Sequence, residues 1–418
     1  MGVAPARRWP GPPPRMKFSR AAVLFWEMVV FAFPLTSESV AFCSAILIKQ
    51  SNFADGSHLL LLLATIKLAS SILEYKGYEE AYLNYTAANE ITFATIGLFQ
   101  VFQAVLLPTG IIFAARVFLH WELPATLNTL LLWVGTITSL RQFLSYRWRL
   151  ALKHAGGATG ALLAEILCAY AWLILLSLAA LRWLPEPMAK LENGVWDLMA
   201  LLAFIAGARL LYRHGPGTMR AILPRRWFDS VGQASASQLG KEVFIIASTT
   251  DVTTGFIARA VVTAFGLGVV FPVGFFRIRI FDRFGGIREA PDVSRATDVS
   301  LRKTSFVASG ILVLLAPVGW HVTHFTSINF PFAAALLALA VAYPIAVFDA
   351  MSYFVLLRQG RRSMCTVALV AGGALILALG YFAARMALTP SVLAFSFILI
   401  LGVGDFMINK VSKFLAAQ

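Results

Sequence analysis

Residues 227–280 read WFDSVGQASASQLGKEVFIIASTTD (227–251), VTTG (252–255) and FIARAVVTAFGLGVVFPVGFFRIRI (256–280). Two runs of bilayer length meet at a short polar break near Gly255, and a basic loop, 281–303, follows. The first run is apolar overall, yet it carries Gln233, Ser235, Ser237, Gln238, Lys241, Glu242 and Asp251. The second carries Arg259 near its start and Pro272 within it. Ionisable groups inside such segments are costly in hydrocarbon and normally face a protein interior or a water-filled cavity. The layout recurs early in the chain. Arg20 precedes an apolar run containing Pro34 and Glu38, a break falls near Asp55, and a second run contains Lys67.

The composition fits this reading. Of 418 residues, 59% are hydrophobic and only 13% charged, about half the charged share of a soluble domain. The apolar runs are about twenty residues long, which specifies helices rather than the alternating ten-residue strands of a barrel. Twelve spans are expected, near 21–48, 58–75, 89–118, 124–144, 159–181, 195–212, 227–251, 256–280, 304–325, 331–357, 364–386 and 391–411. Several carry prolines, at Pro34, Pro108, Pro272 and Pro344. Membrane helices tolerate them because neighbours satisfy the freed backbone groups. Cys43, Cys168 and Cys365 all fall in apolar runs, which argues against a disulfide framework.

The net charge of +14 would point a soluble protein toward nucleic acid. Here the basic residues cluster in the loops expected to be cytoplasmic. Of the 35 Lys and Arg residues, only Lys49, Arg116, Arg182, Lys190 and Arg385 fall at or near the opposite side. Lys67, Lys241 and Arg259 fall within spans. The positive-inside rule then places both termini in the cytoplasm, with no nucleic-acid partner. Residues 1–20, rich in Pro and Arg, read as a basic cytoplasmic tail rather than a signal peptide, because the following apolar run is too long.

The twelve spans divide into two six-helix bundles, 21–213 and 227–413, joined by a cytoplasmic linker at 214–226. Arg20 and Arg226 open the bundles, Glu38 and Glu242 fall at similar depths, and Pro124 and Pro331 open each fourth helix. Six spans per repeat preserve orientation, so the repeat is parallel, a common transporter plan with its substrate site between the halves. The Gly156-Gly157 pair lacks the rest of a phosphate-binding loop, and no paired catalytic constellation sits in a span. An enzyme is not expected.

Twelve spans as six plus six, the stretch Phe33-Pro34-Leu35-Thr36-Ser37-Glu38, polar first and seventh helices and short outer loops resemble the multidrug/oligosaccharidyl-lipid/polysaccharide exporter superfamily. The length and the basic loops most resemble its polysaccharide flippase branch. The resemblance implies an all-α fold and a transporter that flips a lipid-linked oligosaccharide across the inner membrane. It also implies a cavity lined by the first, second, seventh and eighth helices. The matching segments here hold Glu27, Glu38, Lys67, Glu74, Gln238, Lys241, Glu242, Asp251 and Arg259. The alternative within the superfamily is a cation-coupled multidrug or metabolite antiporter.

An anionic phosphate headgroup crossing hydrocarbon needs charge-assisted hydrogen bonds in place of water. Lys67, Lys241 and Arg259 are the candidate headgroup ligands, with Gln238 beside them. Glu38, Glu242 and Asp251 are candidates to balance those charges or to bind a coupling H+ or Na+. Lys67 has a plainer reading as a side chain reaching toward an interface through its long stem, and Asp251 and Arg259 as residues near the outer break. Lys241 and Glu242, adjacent on a helix, point about 100° apart. His321 and His324 read as residues at a membrane interface, and no metal or cofactor is expected. A monomer contacting membrane lipids completes the expectation.

The topology is tested by labelling single cysteines. Positions Asn193 and Ser327 should react from outside, and Gly157 and Arg361 from the cytoplasm. A protected Asn193, or an Arg361 position that labels from outside, contradicts the two-repeat map.

Overall fold

The computed structural model describes residues 41–42, 44–46, 48–49, 56–72, 110–115, 117–120, 227–270, 272–273, 290–325 and 330–418. The expected tail at 1–20, the linker at 214–226, and Glu27, Glu38 and Glu74 lie outside them. Every regular element among the described residues is helical. We name α1 (Gly56–Ile72), α2 (Trp227–Gln238), a π-helical turn (Leu239–Val243) and α3 (Phe244–Ser248). These are followed by α4 (Val252–Phe265), a second π-helical turn (Gly266–Val270), α5 (Ala290–Phe325), α6 (Phe332–Ala346), α7 (Met351–Arg358), α8 (Arg362–Arg385) and α9 (Pro390–Ala417). Four helical runs are long and apolar enough to cross a bilayer: Val252–Val270, Thr297–Phe325, Arg362–Arg385 and Pro390–Ala417. α6 and α7 together form a fifth, bent by 52°. The protein is an all-α, multi-pass membrane protein.

Burial ranks the spans. In Val252–Val270, 67% of the most apolar stretch is buried, against 6% in Thr297–Phe325. α4 is therefore central and α5 peripheral. Phe306, Leu314 and Phe325 stand on the outside of α5 at 67%, 78% and 85% exposure. An apolar helix surface of this kind suits lipid. α5 is also longer than its apolar run. At 36 residues it extends about 54 Å, against a hydrocarbon core of about 30 Å. Its polar start, which the sequence assigns to the 281–303 loop, is already helical.

The break between the first two runs also lies earlier than Gly255. It falls at Thr249–Asp251, and α4 begins at Val252. Asp251 sets this start, since its side chain accepts hydrogen bonds from the amides of Thr253 and Thr254. Gly255 belongs to the first turn of α4, where a Cβ would stand 2.8 Å from Thr249 Cγ2 and 3.2 Å from Leu60 Cδ1. Its lack of a side chain serves close packing against α1 rather than a turn.

Pro331 caps α6, and Pro344 lies inside it, three residues before the bend at 347–350. Proline removes one helical donor and crowds the preceding turn, so the chain bends where its hydrogen-bond ladder is already interrupted. Asp349 sits in the bend at φ +55°, a left-handed conformation that Asp tolerates better than most residues. Although 3% exposed, it is not an isolated charge. Its carboxylate accepts Arg302 at 3.0 Å, Lys410 at 3.0 Å and Lys413 at 3.2 Å. Arg302 and Lys410 also face the ring of Phe348, and Asp298 accepts the Met351 amide. One carboxylate thus ties α5, the α6–α7 bend and α9 together.

Helix approach depends on small residues, as expected where lipid supplies no hydrophobic drive for helix association. A Cβ on Gly372 of α8 would lie 2.6 Å from the Gly404 carbonyl oxygen of α9, and one on Gly404 would lie 2.2 Å from Ile376. Gly380 and Gly373 let α8 lie equally close to Phe244 and Leu239. Overpacking such a contact costs about 1–3 kcal/mol. Gly404→Val should therefore lower the melting temperature in mild detergent by several degrees. Gly310→Ala, at a position with nothing within 4 Å of a Cβ, should leave it unchanged or higher. Equal effects of the two would contradict the packing.

Candidate functional site: a buried cluster of three charges

The polar residues of the 227–251 segment separate into two groups. Most are satisfied locally. Ser235 and Ser237 donate to the carbonyls of Val231 and Ala234 on their own helix, and Gln233 donates to the Tyr353 hydroxyl of α7 at 3.0 Å. Glu242 is different. It lies in the first π-helical turn, where one extra residue per turn shifts the register of the side chains that follow, a feature frequent at functional sites. Lys241 is exposed while Glu242 is 2% exposed. Adjacent positions thus face apart, as their angular separation requires.

Glu242 meets two cations from two other elements. Arg259 of α4 donates Nη1 to Oε1 at 3.0 Å and Nη2 to Oε2, a two-pronged contact. Lys67 of α1 places Nζ 3.2 Å from Oε1. None of the three side chains exceeds 3% exposure. The planar guanidinium matches both carboxylate oxygens, a geometry that lysine cannot provide.

The cluster lies deep in the bundle. α1 and α4 start at one end, where a Cβ on Gly56 would lie 2.9 Å from Val252, and the segment through Glu242 runs toward that same end. At 1.5 Å per residue, Arg259 lies about 12 Å beyond Asp251, Glu242 about 13 Å before it, and Lys67 about 16 Å beyond Gly56. These depths approach half a hydrocarbon core. Neither the interfacial reading of Arg259 nor the snorkelling reading of Lys67 describes these positions. Above the cluster, among the described residues, that end is closed off by Phe42 on Phe256 (6.2 Å between centroids), Lys49 over the same ring, and Phe256 against Phe330.

Of the sequence candidates, Lys67, Glu242 and Arg259 are brought into contact. Gln238, the last residue of α2, is half-buried, and Lys241 is exposed. Glu38 lies outside the described residues. Asp251 stands apart, exposed at the closed end. Partial burial raises the proton affinity of its carboxyl, but hydrogen bonds from the Thr254 hydroxyl and amide, the Thr250 hydroxyl and the Thr253 amide outweigh this and hold it below the usual carboxylate range. All of these bonds serve the helix start. His321 and His324 are exposed near the end of α5, with His324 Nδ1 2.9 Å from the Trp320 carbonyl. Among the described residues no three His, Cys, Asp or Glu side chains converge as a metal would need. Sequence reasoning missed Asp349 with Arg302, Lys410 and Lys413. The available signal was an acid inside the 331–357 run, the same signal that singled out Glu242.

The described residues thus form an all-helical bundle with membrane-length spans and a buried charge cluster. Over 95% of its length the chain is similar to 95% of a solved structure, the crystal structure of MATE in complex with MaL6, with a TM-score of 0.54 at 12% identity. The chain therefore has the MATE fold. No family model matches the sequence, and no curated protein matches it.

Asp251→Ala should cost about 1 kcal/mol, the usual loss of an N-cap, with Asp251→Asn retaining most of the stability. Because the folded carboxyl is the more acidic form, its contribution is complete above the unfolded pKa near 4 and is lost as pH falls through the lower folded value. The gap between the protein and Asp251→Ala should be largest at pH 7 and narrow below pH 4, toward the part that neutral Asp251→Asn retains. A gap that does not narrow as pH falls would contradict the charged cap.

Proposed function

We propose that the protein is a membrane transporter that flips an anionic, phosphate-bearing lipid, a lipid-linked oligosaccharide, across the inner membrane. One observation carries this reading: two cations, Lys67 and Arg259, share one carboxylate deep in the bundle. Each charge held at that depth costs roughly 2.5–3.5 kcal/mol on insertion scales. A phosphate, with several acceptor oxygens, can accept from both cationic side chains at one place. Glu242 would hold the two side chains in place without a headgroup and yield part of their hydrogen bonding to it.

The packed end at Gly56, Val252 and Phe256 supports loading from the opposite end, which the positive-inside pattern makes cytoplasmic. The prenyl tails would stay in lipid, so only the headgroup exchanges water for the cluster. The surface-polysaccharide role follows from the resemblance to the flippase branch. The transport reading itself draws on the MATE fold, which fits a cation-coupled antiporter equally well, and Glu242 is the specific feature favouring that second reading. There, a proton or Na+ would compete with Lys67 and Arg259 for the carboxylate.

Reconstituted protein separates the two. For a headgroup carrier, Lys67→Ala should weaken binding of a polyprenyl-phosphate sugar about tenfold or more, since a hydrogen bond to a charged group contributes about 1.5–3 kcal/mol. Lys67→Arg should retain part of it. Glu242→Gln should keep or tighten binding while slowing turnover, because the competing anion is gone. For the antiporter, Glu242→Gln should abolish cation-driven transport, and Lys67→Ala should leave polyprenyl-phosphate binding unchanged because there is none. Normal flipping by Lys67→Ala, at equal expression, contradicts the headgroup mechanism.

A further inference from the structure

Two buried hydroxyls, each about one helical turn along the same helix from a cation of the cluster, have no hydrogen-bond partner. Ser70 Oγ of α1 and Thr263 Oγ1 of α4 are enclosed and unbonded among the described residues. Both residues are 3% exposed. Serine and threonine in helices ordinarily bond the carbonyl one turn back, and others here do so. Thr65 returns to Leu61, Ser235 to Val231 and Thr249 to Ile245. Ser70 and Thr263 do not, although a preceding carbonyl is equally near in sequence.

Their positions match one another. Ser70 follows Lys67 by three residues and Thr263 follows Arg259 by four, so each hydroxyl shares a helix face with its cation. α1 and α4 start at the same closed end, so both hydroxyls are displaced in the same direction, away from Gly56 and Val252, by about 4.5–6 Å. The hydroxyls of Ser248, Ser309 and Ser412 are also unbonded. Ser248 lies six residues beyond Glu242 toward the closed end, and Ser309 on α5 and Ser412 on α9 are on elements that hold none of the three charges, so none of them belongs to the pair.

We infer that Ser70 and Thr263 are ligand hydroxyls of an oxyanion subsite that they form with Lys67 and Arg259, on the side of the cluster facing away from the closed end. The ligand class is a phosphate or pyrophosphate group. Its several oxygens can accept from a guanidinium, an ammonium and two hydroxyls at once. A phosphate can use both cationic side chains and both hydroxyls, whereas a neutral sugar hydroxyl would leave the two cationic side chains unused. The subsite rests on the headgroup reading proposed above and specifies which atoms meet the phosphate.

The test uses full-length protein in neutral-lipid nanodiscs with two probes, inorganic pyrophosphate and geranylgeranyl phosphate. Melting temperature and probe affinity are measured for Ser70→Ala, Thr263→Val, the double variant and Thr263→Ser. The subsite predicts unchanged or raised stability without probe, because removing an unbonded buried hydroxyl relieves a desolvation cost. It predicts affinity roughly two- to tenfold lower for each single variant, the range of one ordinary hydrogen bond. The double variant should lose more, and Thr263→Ser should stay near the parent. Response to both probes supports a site that reads the phosphate alone; response only to geranylgeranyl phosphate supports one that also needs the chain. Lower stability with unchanged affinity would show structural hydroxyls and overturn the inference, as would no change in either quantity. If Lys67→Ala abolishes binding while the hydroxyl variants bind normally, the subsite fails and the headgroup reading stands. If the parent protein binds neither probe, both fail.

Discussion

Glu242 accepts hydrogen bonds from Arg259 and forms an ion pair with Lys67, and the central packing is arranged around that shared carboxylate. Lys67 arrives on α1, Arg259 on α4, and Glu242 on the π-helical turn between α2 and α3. Three elements must therefore be held within hydrogen-bonding distance at one depth. A buried charge that loses its partner costs about 3–5 kcal/mol, so a displacement of any one element is penalised. Apolar packing around the cluster resists that displacement. Phe244, Phe256, Ile245, Leu63 and Ile66 are all essentially buried, and Phe244 meets Phe397 of α9 edge-on at 5.0 Å.

The second charged knot works differently. Asp349 joins α5, the α6–α7 bend and α9, but its cations reach water: Lys413 is 60% exposed and Lys410 39%. Exposed pairs contribute little individually. The buried acid is what makes this knot specific, because it occupies a bend that Pro344 has prepared and a backbone conformation few residues adopt readily. Between the two knots, glycines on α8 and α9 set the helix spacing. Gly372 and Gly404 bring two backbones together so closely that neither tolerates a methyl group.

Much of the fold was legible in the amino-acid sequence because the bilayer imposes a length and a polarity that any span must satisfy. Bilayer-length apolar runs specified helices, and Pro331 and Pro390 stand at or next to the starts of α6 and α9. Boundaries were less legible where polar residues help to build a helix. Asp251 looked like an embedded charge but is an N-cap, and the basic start of α5 looked like loop. At the site, rarity of charge in apolar sequence identified Lys67, Glu242 and Arg259 as candidates. Their pairing was not legible, because the π-helical turn alters which residues of its segment share a face. Ser70 and Thr263 were invisible for another reason. Hydroxyls are common in membrane helices and usually bond their own backbone, so only their three-dimensional surroundings set these two apart.

The shared carboxylate is tested most directly by a double-mutant cycle on Lys67→Met and Glu242→Gln, read as unfolding free energy in mild detergent. If the two side chains form one electrostatic unit, the double variant should deviate from the sum of the single variants by clearly more than about 0.5 kcal/mol, the scatter found for independent sites. The sign should show that losing both is less harmful than the two separate losses added together. Strict additivity would mean that Lys67 and Glu242 do not interact in the folded protein, and would contradict the cluster on which the functional reading stands.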